Sequence, residues 1–139
     1  RHPGRLYLFP RMVSKSFFQL FYIPVFLKIG GLGESEAARF LKKRGYKIIE
    51  KNFYSPFGEI DIIARDGEYN VFVEVKQRKN ELFGGAAAAV NSQKIKRIKQ
   101  TAEIYLQKHG ITSAVRFDVV LIHGDLNGKK NIEVIQDAF

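Results

Sequence analysis

The stretch GEIDIIARDGEYNVFVEVKQR, Gly58 to Arg78, places Glu59, Asp61, Glu74 and Lys76 inside two runs rich in Ile, Val and Phe. Such runs on either side of an Asp66-Gly67 turn predict two paired antiparallel strands, Glu59 to Ala64 and Val71 to Gln77. Residues directly opposite each other across the pair share a face. With Asp66 to Tyr69 as a four-residue loop, Asp61 falls opposite Glu74 and Glu59 opposite Lys76. The other face then pairs Ile60 with Val75 and Ile62 with Val73, an apolar surface. A one-residue slip would set polar against apolar on both faces, so the pattern favours the register that gathers the charges.

The elements around this hairpin complete an α/β layout. Glu34 to Arg44 reads as a helix closed by Gly45, with Ala37, Ala38 and Leu41 at helical spacing. Glu34 lies on that inward stripe, whereas Glu36 and Lys43 point away from it. Tyr46 to Asn52 is a strand, and Ser55-Pro56-Phe57-Gly58 is a turn. Ser92 to His109 is a second helix ending at Gly110, with Ile95, Ile98, Ala102 and Leu106 facing inward. Val115 to Ile122 and Ile132 to Ile135 are strands separated by a turn over Asp125 to Lys130. A mixed sheet flanked by helices follows from this order, with both faces of its central strands covered.

A chain of 139 residues supports one domain with a core that needs no covalent staples. No cysteine is present, which removes disulfides and thiolate metal sites and fits the reducing cytoplasm expected as its compartment. His2, His109 and His123 are scattered without ligand spacing. There is no glycine-rich phosphate loop, the Gly84-Gly85 pair being too weak a signal, and no serine triad. The net charge of +9 suits a polyanionic partner.

Residues 1–32 differ from the rest. Up to Gly31 they hold five Arg or Lys, no acid and an apolar run from Phe17 to Leu27. That run is too short for a span and contains Pro24, and no small-residue cleavage site follows it. They are expected to be a poorly ordered extension ahead of a domain over 33–139. A membrane-surface anchor, or packing on the domain, are the alternatives.

Adjacent buried carboxylates repel unless one is protonated or a cation lies between them. Hard divalent ions such as Mg²⁺ or Mn²⁺ accept such oxygens and leave coordination positions for water and phosphate. A nearby lysine can orient an attacking water or balance charge on a phosphate. Asp61, Glu74, Lys76 and an inward Glu34 therefore outline a phosphodiester-hydrolysing site, with Glu59 a lesser candidate. The plainer alternative is a half-exposed face on which Asp61 and Glu74 pair with Lys76 and Arg78. Asp118, mid-strand in RFDVV, is expected to be structural and paired with Arg116, or else to support the site. Arg78 and Lys79 after the motif, and Lys94, Lys96, Arg97 and Lys99 on the second helix, are candidate phosphate contacts or a solvated face. Tyr54 and Phe57 are candidates for base stacking, with packing in the turn the plainer and preferred reading.

Asp, then Glu-x-Lys on the neighbouring strand, with a Glu from the first helix, resembles the restriction-endonuclease-like PD-(D/E)xK nucleases, with a similar arrangement in archaeal Holliday-junction resolvases. More narrowly, GESEAARFLKKRGYKIIEKN, GEIDIIARDG, VFVEVKQR, FGG, RFDVV and the terminal DAF resemble the YraN family of uncharacterised bacterial proteins, over Gly33 to Phe139. Two positions depart from that pattern: Tyr54 stands where the family often has Arg, and an Ala run follows Gly84-Gly85 where Pro or Glu is common. The resemblance implies a restriction-endonuclease-like fold and a magnesium or manganese site. Asp61, Glu74 and the Val75 backbone carbonyl would bind the ion, Glu34 would do so directly or through water, and Lys76 would position the water. The expected activity is cleavage of DNA, structured or branched, with RNA and a homodimer left open and no membrane partner expected. A non-catalytic nucleic-acid-binding module of the same fold is the alternative.

Overall fold

The computed structural model describes residues 23–78, 90–124 and 128–139, with side chains from residue 33 onward except that of Arg78. Five strands form one sheet in chain order: β1 (Lys47–Ser55), β2 (Gly58–Asp66), β3 (Tyr69–Arg78), β4 (Val115–Gly124) and β5 (Lys130–Ile135). Helix α1 (Ile23–Lys43) precedes the sheet, and α2 (Ser92–His109) lies between β3 and β4. Among the described strands, only β3 and β4 run parallel, their neighbours being antiparallel. A parallel pair needs a long crossover, and α2 lies in that connection.

The two described helices cover opposite faces. Ala37, Ala38 and Leu41 of α1 pack on Ile62, Ala64, Val71, Val73, Val120 and Ile122. Ile98, Ala102 and Tyr105 of α2 pack on Phe53, Ile60, Ile63, Phe72, Val119 and Leu121. Successive residues of β3 and β4 thus serve different cores, which is why Val71–Val73 and Val119–Ile122 read as continuous apolar runs rather than alternating ones. Leu41 is wholly buried, so Leu41→Ala would cost about 2–5 kcal/mol.

Both helices end as their glycines predict. After α1, the Gly45 N–H donates to Lys42 O and the Tyr46 N–H to Leu41 O, with Gly45 at φ 97°, a paired closure of the last turn. Gly110 closes α2 at φ 62°. At its upstream end α1 begins at Ile23 rather than Glu34. Pro24 falls in the first turn, where its missing N–H costs no helical bond. The extension expected over 1–32 therefore overlaps α1 from residue 23, and residues 1–22 lie outside the described part. The inner face of α2 also differs from the expected stripe. Thr101 and Tyr105 are buried beside Ile98 and Ala102, while Ile95 and Leu106 flank the core. Thr101 is tolerated there because its hydroxyl lies 2.7 Å from that of Ser55, which ties α2 to the β1–β2 turn.

The β2–β3 hairpin closes at the pair Asp66–Tyr69, leaving only Gly67 and Glu68 in the loop. The loop is shorter than expected, but the register is the expected one, with Ile62 opposite Val73. The expected apolar face of Ile60, Val75, Ile62 and Val73 is not a single face. Ile60 belongs to the α2 core, whereas Ile62, Val73 and Val75 belong to the α1 core. Alternation fails between Ile60 and Ile62, at Asp61.

Asp118 is structural, as expected. Fully buried, it accepts hydrogen bonds from Tyr46 Oη at 2.8 Å, Arg116 Nε and Nη2 at 2.9 Å each, and the Asp137 N–H at 3.0 Å. Arg116 also reaches Asp66 at 2.7 Å. This network, and the Ala138 N–H bonded to Phe117 O, fasten the terminal DAF to the sheet.

Candidate metal centre

The break in alternation at Asp61 has a visible cause. In the β1–β2 ladder, Lys51 pairs with Ile62 and Phe53 with Ile60, but no pair joins Asn52 to Asp61. Asn52 sits at φ 58°, a left-handed conformation that is uncommon outside glycine but that asparagine tolerates best. On the other side, the β2–β3 ladder is regular only as far as Ile62–Val73. Asp61 lies just beyond, and its Oδ2 accepts the Val75 N–H at 2.8 Å. The carboxylate thus takes the place of a ladder partner.

Three carboxylates meet at this break. Glu34 from α1 and Glu59 and Asp61 from β2 each present an oxygen within 4.8 Å of the others. All three are buried, at 5%, 6% and 5% exposure. Both Glu59 oxygens lie buried without a hydrogen-bond partner, as does Asn52 Oδ1. Orphaned polar atoms are uncommon in protein interiors and call for a specific explanation. Glu34 reaches the cluster because the residue before it is glycine. A Cβ at Gly33 would fall 2.9 Å from the Gln77 side chain, so glycine lets α1 lie close to the end of β3.

Glu74 is equally buried but stands beside this trio, turned toward cations. Lys94 Nζ lies 3.3 Å from its Oε2, and Lys76 Nζ lies 4.0 Å from the same atom. Of the pairings in the plainer alternative, Glu74 does meet Lys76, whereas Asp61 Oδ2 accepts the Val75 backbone N–H. Burial, reinforced by neighbouring carboxylates, pushes Glu59 up to about 9, Asp61 to about 6 and Glu74 to about 8. Burial raises Glu34 also, partly offset by the Asn52 side chain. Burial works against a charged Lys94, yet Glu74 and Asp61 hold its ammonium above the ordinary lysine range.

The remaining candidates disperse. Along α2, Lys94 points into the acidic site, and Arg97 Cβ lies 3.5 Å from the position of a Cβ on Gly58. Lys99 sits over the rings of Phe117 and Phe139, and Lys96 is exposed. They do not form one basic face. Lys79, the Ala86–Ala89 run and the Arg78 side chain lie outside what is described. His109 lies against Tyr105 and His123 beside Glu133, so neither enters the site. Asn52 and the inward turn of Lys94 escaped sequence reasoning: a left-handed residue in mid-strand leaves no periodic signal, and a lysine in a basic run reads as solvated.

A five-stranded mixed sheet between two helices, with buried acids gathered where its second and third strands part, defines an α/β protein of restriction-endonuclease-like fold. Within that class, the chain belongs to the uncharacterised protein family UPF0102, also called the YraN family, whose model matches residues 33–122. It is 44% identical over 114 residues to the UPF0102 protein of Hahella chejuensis, covering 81% of this chain and 90% of that protein. It is 46% identical over 114 residues to the one from Syntrophus aciditrophicus, covering 81% and 89%. With the one from Thermodesulfovibrio yellowstonii the identity is 43% over 113 residues, covering 81% and 96%. Among the described residues, no helix is long and apolar enough to cross a membrane.

Proposed function

We propose that this protein is a metal-dependent nuclease that hydrolyses phosphodiester bonds in DNA, structured or branched DNA being the expected substrate. One observation carries the proposal: three buried carboxylates present oxygens within 4.8 Å of each other, and neither Glu59 oxygen accepts a hydrogen bond from a donor outside that cluster. An all-carboxylate donor set of this kind suits Mg²⁺ or Mn²⁺.

Glu34, Glu59 and Asp61 would hold the ion, through the oxygens they turn toward one another. Glu74 and the Val75 carbonyl would complete the site from β3. The ion supplies Lewis acidity and charge neutralisation at the phosphate. Asp61 is anchored through Oδ2 to the Val75 N–H, which leaves its other oxygen to face the cluster. Lys76, the less tightly paired of the two lysines at Glu74, would orient the attacking water or steady the phosphate it attacks. Lys94, beside Glu74, would supply a sequence-independent contact to the backbone, with Lys96, Arg97, Lys99, Arg78 and Lys79 as more scattered contributors.

The test is purified protein with Mg²⁺ or Mn²⁺ against linear, flapped and four-way-junction DNAs, with an RNA duplex alongside. Cleavage is expected to require the ion and to fall by several orders of magnitude in Asp61→Asn. Salt-dependent binding without cleavage of any substrate would mark a non-catalytic binding module.

A further inference from the structure

Lys94 is poorly placed for an ordinary surface lysine. The Asn91 side chain accepts the Lys94 N–H at 2.8 Å, fixing it in the first turn of α2. That turn holds no acidic residue, and a cation there opposes the positive end of the helix dipole. A helix side chain leans back toward the N-terminus, and here it carries the ammonium to Glu74 of β3, at 3.3 Å. Glu74 is 4% exposed and Lys94 34%. The carboxylate therefore cannot leave the site for water, while the lysine, on a flexible stem at its mouth, can.

We infer that Lys94 is the internal counter-ion of Glu74, which yields this carboxylate to a divalent ion and then engages the phosphate backbone of the bound nucleic acid. The inference rests on the metal site proposed above. A buried carboxylate is costly without a cation, and Lys94 meets that need until the ion arrives. The two charges then exclude each other, since a lysine a few ångströms from an incoming divalent ion repels it. Once released, the ammonium sits at a helix N-terminus, where backbone N–H groups also favour an anion. Lys76 lies farther from the same carboxylate and keeps its own role. Lys94 thereby links occupancy of the metal site to affinity for the polyanion.

The test compares the full chain with Lys94→Gln and Lys94→Arg. Mn²⁺ titrated calorimetrically should bind Lys94→Gln on the order of tenfold more tightly than wild type, and Lys94→Arg as wild type. DNA binding is then measured against salt, in EDTA and in Ca²⁺. In Ca²⁺ the salt slope of Lys94→Gln should be smaller than that of wild type by about one. In EDTA, where Lys94 is held by Glu74, the slopes should match. If wild type binds Mn²⁺ and Lys94→Gln binds it no more tightly, the counter-ion role is wrong while the metal site stands. If wild type binds no divalent ion, both fall. Equal slopes in Ca²⁺ would overturn the release of Lys94 to phosphate.

Discussion

Four buried acids in one site make its protonation a matter of folding. For Glu59, Asp61 and Glu74, burial and mutual repulsion raise the folded-state pKa above the value near 4 of an unfolded chain. The folded state then binds protons more tightly than the unfolded one, so this contribution to stability is full in acid. It is lost as pH rises from about 4 toward the value of about 9 reached by Glu59. In EDTA, the melting temperature of Glu59→Gln should therefore match that of wild type near pH 4 and exceed it increasingly up to pH 9. Adding Mg²⁺ should stabilise wild type most at the alkaline end, where the ligands are ionised, and Glu59→Gln little. Melts across pH with and without the ion check this. A constant offset between the two proteins would mean that Glu59 does not titrate in this range.

At the scale of elements, β1 matters less for its regular part than for its break. If the left-handed turn at Asn52 is what brings Asp61 and Glu59 round to Glu34, backbone and side chain can be separated by substitution. Asn52→Gly keeps the conformation open and should leave stability within about 1 kcal/mol of wild type while weakening metal binding, since the amide beside Glu34 is gone. Asn52→Leu should cost about 1–2 kcal/mol through strain at positive φ, read from urea melts. Equal stability of the two would place the break elsewhere. Most of the elements were legible in the sequence. Gly45 and Gly110 mark their helix ends, the apolar runs mark β2, β3 and β4, and alternation sets the β2–β3 register. Glu34, Asp61, Glu74 and Lys76 were legible as a group because charge is costly inside apolar runs. What could not be read depends on departures from period: the Asn52 break, which moves Ile60 into the other core and Glu59 to the centre, and the Thr101–Ser55 contact, polar groups satisfied only by tertiary packing.

Across the whole molecule, the strand order has a consequence in time. β1, β2 and β3 are joined by short turns and pair with their immediate neighbours, so their contacts close small loops. The β3–β4 contact instead spans α2 and must wait for that long crossover. Because closing longer loops costs more entropy before any contact repays it, the meander should form first in refolding. Pulsed hydrogen exchange should then protect the paired amides of Ile62 and Val73 before those of Val119 and Val120. Simultaneous protection would rule out this order. Glu59, Asp61 and Glu74 all lie on the early part, so their repulsion arises before β4 has docked. A divalent ion present during refolding would then relieve a kinetic barrier as well as stabilise the product, and should speed folding rather than only slow unfolding.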